Sequence, residues 1–328
     1  MTTPLAVGVI GVGSLGRHHA RHLAGFHGVR LAGVCDVNRE RADAVAAETG
    51  TAAFTDLDQL LARVDAVTIA VPTSVHCQVG LRVIGAGKPV LIEKPLARTL
   101  EEADRLVAAA DARGVQLQVG HIERFNRALR AAREHCRDIR YFEGTRLAPF
   151  QSRGTDVAVV HDLMIHDLDL VLHLMRGIEV TDVRASGVAV MSTHLDIASA
   201  RVEFANGAVA SITASRIARE RVRKLRMFQP DGYFSLDLAS GTGSFMKLRP
   251  GAGPGMAESL DQLIEHVPLQ APPADALALE LASFTHAVRG DQETVVTGRE
   301  GRAALALAIQ VTDAIGATPE PAAAALMA

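Results

Sequence analysis

A chain of 328 residues that is 48% hydrophobic and 22% charged has room for two domains with their own cores, which excludes small disulfide-stapled, low-complexity and disordered classes. Its 34 Lys and Arg against 37 Asp and Glu leave a net charge of −3, and aromatics are 4% with no Trp, so nucleic-acid and anionic-membrane binding are not expected. Three scattered cysteines, no apolar run near the roughly 18 to 20 residues of a membrane helix, and a start without a basic leader predict a cytoplasmic protein.

The first 120 residues alternate short β-branched apolar runs with longer alanine-rich amphipathic stretches, the rhythm of βαβ units around a parallel sheet. Strands are predicted near 5–10, 30–35, 66–71, 89–93 and 115–119, with helices near 14–26, 38–48, 56–63, 75–86 and 99–112. Residues 157–176 read as one long helix, followed by strand-like runs at 178–190, 197–205, 208–216, 223–229 and 233–238. Asn206-Gly207 and Asp231-Gly232 lie between such runs as hairpin turns and predict an antiparallel sheet of meander type. The Gly- and Pro-rich stretch 240–273 reads as a connection, and 274–289 and 298–317 as helices. The expected architecture is α/β. A doubly wound Rossmann domain with a parallel sheet covers 1–121, and an α+β domain with an open, mostly antiparallel sheet covers 122–328, its last helices packing back on the first domain.

Gly11-Val12-Gly13-Ser14-Leu15-Gly16 follows the first strand and opens a helix, with the G-x-G-x-x-G spacing of a dinucleotide site. Glycine at 11 and 13 lets backbone approach a pyrophosphate, and Gly16 lets helix pack close on strand. The amides at the helix start, Ser14 and Leu15 among them, bind phosphate. Asp36 ends the second strand 20 residues past Gly16, where a carboxylate accepts hydrogen bonds from a ribose and repels a 2′-phosphate, so NAD is favoured over NADP. Arg39 is close enough to face a phosphate or the adenine and counts as a further cofactor contact.

Lys88–Ile92 is a buried strand that delivers Glu93-Lys94-Pro95 to its carboxyl end, the edge where open α/β sheets bind ligands. Pro95 disfavours helical backbone at Lys94 and holds it extended. Lys94 there can accept a proton from a substrate hydroxyl or donate a hydrogen bond to it, although spacing alone fits a solvated lysine equally well. Asp162, His166, Asp169 and His173 fall at i, i+4, i+7 and i+11, a polar stripe on an otherwise apolar helix that points to a pocket lining. The residues alone leave open a pocket-lining pair, a surface Asp162–His166 pair and a metal site that lacks further ligands.

The pairing of this glycine motif with Glu93-Lys94-Pro95, and Pro72-Thr73-Ser74-Val75-His76 after the fourth strand, resembles the Gfo/Idh/MocA oxidoreductases over essentially the whole chain. The resemblance implies an NAD- or NADP-dependent oxidoreductase of alcohols or sugars, with Pro72, His76, Glu93 and Lys94 at the cofactor and Lys94 as the characteristic active-site lysine. It also implies that Asp162 and His166 are catalytic. His166 is then the first choice of base, oriented by Asp162, with Lys94 bonded to the same hydroxyl, and Lys94 as base remains the alternative.

Val119–Asn126, Arg153-Gly154-Thr155-Asp156 and Arg223–Asp231 resemble the UDP-N-acetylglucosamine 3-dehydrogenase subgroup more narrowly, with Arg127 departing from the proline usual after Phe125-Asn126. That subgroup implies oxidation of the sugar 3-hydroxyl to a ketone ahead of an aminotransferase in lipid A synthesis. Its nucleotide-sugar substrate would be touched by Lys94, Arg124, Arg153, Thr155, Asp162 and His166, with no metal. An open sheet face further implies a homodimer or homotetramer. Arg216, Arg219, Arg221, Arg223, Lys224 and Arg226 place six cations in eleven residues, which suits a diphosphate or a solvated face. Oxidation of inositol or another polyol, and a non-catalytic NAD sensor, are the alternative functions.

Overall fold

The apolar runs and amphipathic stretches of the N-terminal part alternate as strand and helix in the computed structural model. They form β1 (Leu5–Ile10), α1 (Ser14–Gly25), β2 (Val29–Cys35), α2 (Arg39–Thr49), β3 (Ala53–Phe54), α3 (Leu57–Leu61), β4 (Ala66–Ile69), α4 (His76–Gly85), β5 (Val90–Glu93), α5 (Leu100–Arg113) and β6 (Leu117–Gly120). The structure describes residues 3–151, 157–252 and 260–316. Local chemistry marks the helix ends. Asn38, Asp56 and Thr99 cap α2, α3 and α5 by accepting from backbone amides of the first turn, and Gly50 and Gly114 end α2 and α5 in the left-handed conformation.

All six strands run parallel in the order β3-β2-β1-β4-β5-β6, so the strand order reverses between β1 and β4. A parallel sheet covered on both faces needs strands without alternation, and β4 and β5 are buried at every position. Val7, Val9, Leu31 and Leu91 pack with Leu23 of α1 and with Leu277, Leu281 and Phe284 from far along the chain. This unit extends to Ile122 and takes in Ala274–Leu305.

The second unit comprises Glu123–Pro273 and the chain from Ala306. It contains α6 (Arg127–Ala132), β7 (Tyr141–Leu147), α7 (Ile165–Leu174), β8 (Val180–Val188), β9 (Ile197–Phe204), β10 (Val209–Ser215), β11 (Val222–Gln229), β12 (Gly232–Asp237), β13 (Thr242–Leu248), α8 (Leu260–Leu263) and β14 (Ile264–Leu269). The chain then forms α9 (Ala276–Arg289), which belongs to the first unit, and α10 (Gly298–Ile315), which contributes to both. Eight strands follow the order β14-β13-β12-β11-β7-β10-β9-β8, antiparallel throughout except where β7 and β10 pair in parallel. β9 and β10 alternate buried with more exposed residues, so one face of the sheet turns outward.

Three expectations need correction. Residues 240–273 are not merely a connection, because β13 and β14 extend the sheet there. Pro268 is tolerated since β14 is an edge strand with one side free of ladder bonds. The stretch 157–176 is not one regular helix: Val160–Met164 is a π-helical turn, and α7 begins only after it. Finally, the sheet is two meanders rather than one, joined by β7, which the residue pattern did not reveal. Among the described residues, no helix is long and apolar enough to cross a membrane.

Candidate active site

The first unit presents its loops at the carboxyl ends of β1, β4 and β5, beside the point where strand order reverses. Gly11 has φ +80°, its amide donates to Cys35 O at 2.8 Å, and a Cβ there would lie 2.6 Å from Val71 Cγ1. A Cβ on Gly16 would lie 1.8 Å from Gly11 O, so only glycine lets α1 start this close to the loop. On Gly13 the same atom would meet nothing within 4 Å, and Gly13 caps α1 with no side-chain hydrogen bond. The amides of Ser14, Leu15 and Gly16 thus open α1 without intrahelical partners, beside a tight, glycine-walled loop. These residues fit a dinucleotide pyrophosphate.

Asp36, buried beyond the end of β2, accepts from Val12 N and Asn38 N, each at 2.9 Å. The arginine that reaches it is Arg41, at 3.3 Å, whereas Arg39 is exposed and pairs with Asp43 one turn on. Arg41 was not picked out from the sequence; Arg39 lies on the exposed face of α2.

Lys94 is half-buried after β5, and the Lys94–Pro95 peptide is cis. His76, buried at the start of α4, ties the loops together: its Nδ1 lies 2.9 Å from Pro95 O and its Nε2 2.9 Å from Val71 O. Burial holds its pKa below the ordinary histidine value, against the pull of the two carbonyls. Pro72 precedes this turn. Glu93 points inward, its Oε1 3.0 Å from Nε2 of fully buried His19, whose Nδ1 lies 3.1 Å from Thr68 Oγ1. Glu93 thereby links β5 to α1. His19 escaped the sequence reading, although its place beside Gly16, Ala20 and Leu23 on the buried face of α1 was a usable signal.

In the second unit Asp162 lies in the π-helical turn and His166 at the start of α7, both half-buried. Asp162 lines a cavity of ≈ 140 Å³ together with Arg146, Arg216, Arg221 and Arg223. The rest of the helix is held by buried ion pairs. Arg146 of β7 donates from Nε and Nη2 to Asp167 at 2.7 and 2.9 Å, and from Nη1 to Glu123 at 2.8 Å. Burial opposes the Arg146 charge, but Asp167 and then Glu123 outweigh it and leave the guanidinium above its ordinary pKa. Neither Arg146 nor Asp167 was anticipated.

Arg124 was expected at the substrate. Instead its Nε and Nη2 donate to Asp169 at 2.8 and 2.7 Å, and its Nη1 lies 3.0 Å from His173 Nδ1. With 2% of its side chain exposed, Arg124 braces Asp169 and His173, the later members of the polar stripe. Arg153 and Thr155 lie outside the described residues. The six-cation run divides by face. Arg216 is buried on Asp196, while Arg226 pairs with Glu143 and stacks over Phe228 and Tyr233. Arg221 and Arg223 line the cavity. Among the described residues, no cluster of three or more His, Cys, Asp or Glu side chains is placed to hold a metal ion.

Residues 5–121 match the family model described as "Oxidoreductase family, NAD-binding Rossmann fold" of GFO_IDH_MocA, and residues 130–234 match the GFO/IDH/MocA C-terminal domain. A UDP-N-acetylglucosamine 3-dehydrogenase from Acidithiobacillus ferrooxidans is 43% identical over 314 residues, 95% of this chain and 98% of that protein. A solved structure of that enzyme superposes with TM-score 0.88 at 42% identity, covering 96% of this chain and 98% of the other. An inositol 2-dehydrogenase from Cereibacter sphaeroides is 33% identical over 187 residues, 52% of this chain and 54% of that protein.

Proposed function

The chain belongs to the Gfo/Idh/MocA oxidoreductase family, and from that premise we propose that it oxidises the 3-hydroxyl of UDP-N-acetylglucosamine to a ketone with NAD. The observation that carries the substrate is the 43% identity sustained over 95% of the chain to an enzyme of that name, against about half the chain for the inositol dehydrogenase. The uninterrupted likeness also favours an enzyme over a silent sensor.

NAD, when bound, supplies the hydride acceptor, and the glycine loop, the start of α1 and Asp36 would hold it. Asp36 favours NAD over NADP: its buried carboxylate, which also engages Arg41, suits a free ribose hydroxyl and repels a 2′-phosphate. His166 takes the proton of the reacting hydroxyl, worth about 10²- to 10⁴-fold, and Asp162 on the preceding turn orients it. Lys94 serves the same reaction as a hydrogen-bond donor to the hydroxyl. Free Cys35, Cys77 and Cys136 suit a reducing cytoplasm, and the outward face of the eight-stranded sheet suits assembly into a homodimer or homotetramer. Oxidation of the sugar to a ketone prepares it for amination, which is the place a lipid A precursor route gives it.

The test is NADH absorbance across a panel of UDP-sugars and polyols, with Lys94→Ala and His166→Ala alongside. UDP-N-acetylglucosamine should lead the panel, and each variant should lose at least about 10²-fold in kcat. Turnover of inositol in preference to the nucleotide sugar, or an unchanged rate in Lys94→Ala, sinks the proposal.

A further inference from the structure

The register of β7 and β11 sets Arg146 directly opposite Arg223, an arrangement of like charges that destabilises a strand pair unless something negative lies between. Glu123 does part of this. It accepts from Arg146 Nη1 at 2.8 Å and lies 3.5 Å from Arg223 Nη1, so one carboxylate is shared by two guanidiniums. Arg221 stands beside them in the cavity, exposed, with no ion pair among the described residues. The remaining arginine, Arg216, is saturated by Asp196 Oδ1 at 2.8 Å, Val157 O at 2.8 Å and Leu195 O at 3.0 Å. With Asp167 also bound to Arg146 and Asp162 lining the cavity, the cluster is near charge balance as a whole, but Arg221 and the cavity side of Arg223 are its least neutralised cations. Burial first, then the Arg146 charge, pull the Arg223 pKa below the ordinary guanidinium value, against Glu123 and Asp167.

We propose that Arg221 and Arg223, backed by Arg146, form an anion subsite that holds the diphosphate of the nucleotide-linked sugar. A volume of ≈ 140 Å³ is well under the roughly 300–1,000 Å³ of a site for a whole small molecule, so the cavity takes a fragment of the ligand. Two guanidinium forks match diphosphate oxygens with parallel charge-assisted bonds. Asp162 lines the same cavity, and in a sugar diphosphate the phosphates sit one pyranose ring away from the 3-hydroxyl. This inference rests on the proposed nucleotide-sugar substrate, with Asp162 and His166 at the reacting hydroxyl.

Calorimetric titration with UDP, inorganic pyrophosphate, uridine and NADH separates the two claims. The variants are Arg221→Ala, whose side chain is exposed and has no ion pair among the described residues, and Arg223→Lys, which keeps a cation facing Glu123. Each should weaken UDP and pyrophosphate by about ten- to a hundredfold while leaving uridine and NADH within about twofold. In turnover, KM for UDP-N-acetylglucosamine should rise by the same factor with kcat changed less than about threefold. Failure of wild type to oxidise that sugar sinks the substrate reading, and the UDP and pyrophosphate titrations still decide the subsite. Equal UDP affinity in wild type and both variants overturns it, as does a loss of NADH affinity matching the loss for UDP.

Discussion

Asp196 is fully buried and anchors the loop after β8 by accepting from three successive amides, Val190, Met191 and Ser192, at 2.8, 2.6 and 2.9 Å on Oδ2. Its Oδ1 accepts from Arg216 Nε and Ser192 Oγ, both at 2.8 Å. In Asp196→Asn one carboxylate position becomes an NH₂ donor. On the Oδ2 side it would meet three N–H groups, and on the Oδ1 side a buried guanidinium, so neither orientation satisfies the site. Breaking a buried ion pair by removing one partner costs about 3–5 kcal/mol. At about 2–4 °C per kcal/mol for a unit of this size, the unfolding midpoint should fall by about 6–20 °C.

Thermal and urea unfolding followed by circular dichroism measure this, and pH adds a second reading. Burial works against the Asp196 charge, yet the amides and Arg216 outweigh it and hold the pKa well below the ordinary aspartate range. A lowered folded pKa gives stability that is complete above the unfolded value of about 3.9 and declines below it, because the unfolded chain then takes up a proton that the folded one refuses. The gap between wild type and Asp196→Asn should stay constant from about pH 7 to 5, then narrow by up to about 1.4 kcal/mol per pH unit below about pH 4. Adding Arg216→Met removes the stranded cation and should recover part of the loss. A cost below about 1 kcal/mol, or an identical gap at about pH 7 and pH 3, refutes the reasoning.

Gly16→Ala puts a methyl 1.8 Å from Gly11 O, which must drive α1 away from the loop; NADH affinity by fluorescence titration should drop by at least about 100-fold, and an unchanged affinity contradicts the pyrophosphate cradle. Asp36→Ala should lower the NAD-over-NADP ratio of kcat/KM by about tenfold or more, with steady-state rates on both cofactors as the check. Burial, aided by Asp36, raises the Cys35 thiol to about 11, and burial alone raises Cys136 to about 12, so at about pH 8 iodoacetamide should alkylate both far more slowly in the folded protein than in urea. Equal native and denatured rates would count against the buried placement of Cys35 or the half-buried one of Cys136.

The first unit was legible because every signal there is local: β-branched runs, capping residues and glycines at fixed offsets from a strand end. The sheet of the second unit was harder to see where burial and apolarity part company. In β7 the residues on the buried side are Phe142, Gly144 and Arg146. A buried glycine and an arginine neutralised by partners 21 and 23 residues away leave no apolar alternation to detect. β13 was masked by Gly241 and Gly243, and β14 by Pro268. Among the candidate site residues, Lys94, Asp162 and His166 were named from motifs, whereas no spacing rule shows that Asp169 and His173 hold Arg124. For Arg221 and Arg223 the sequence left a diphosphate site and a solvated face equally open, and only the register of β11 sets Arg223 against Arg146.

β7 is made before every other strand of its sheet, yet it lies in the middle, pairing Tyr141 with Val209 on one side and with Phe228 on the other. Neither meander can be joined to the other until two closures of more than sixty residues have brought β10 and β11 to the same ribbon, which predicts slow, late docking of the sheet's two wings. The ribbon also bears Arg146. The end of β7, Arg146 and Leu147, therefore lines the cavity and forms part of the seam of the sheet, so a change at either bears on both.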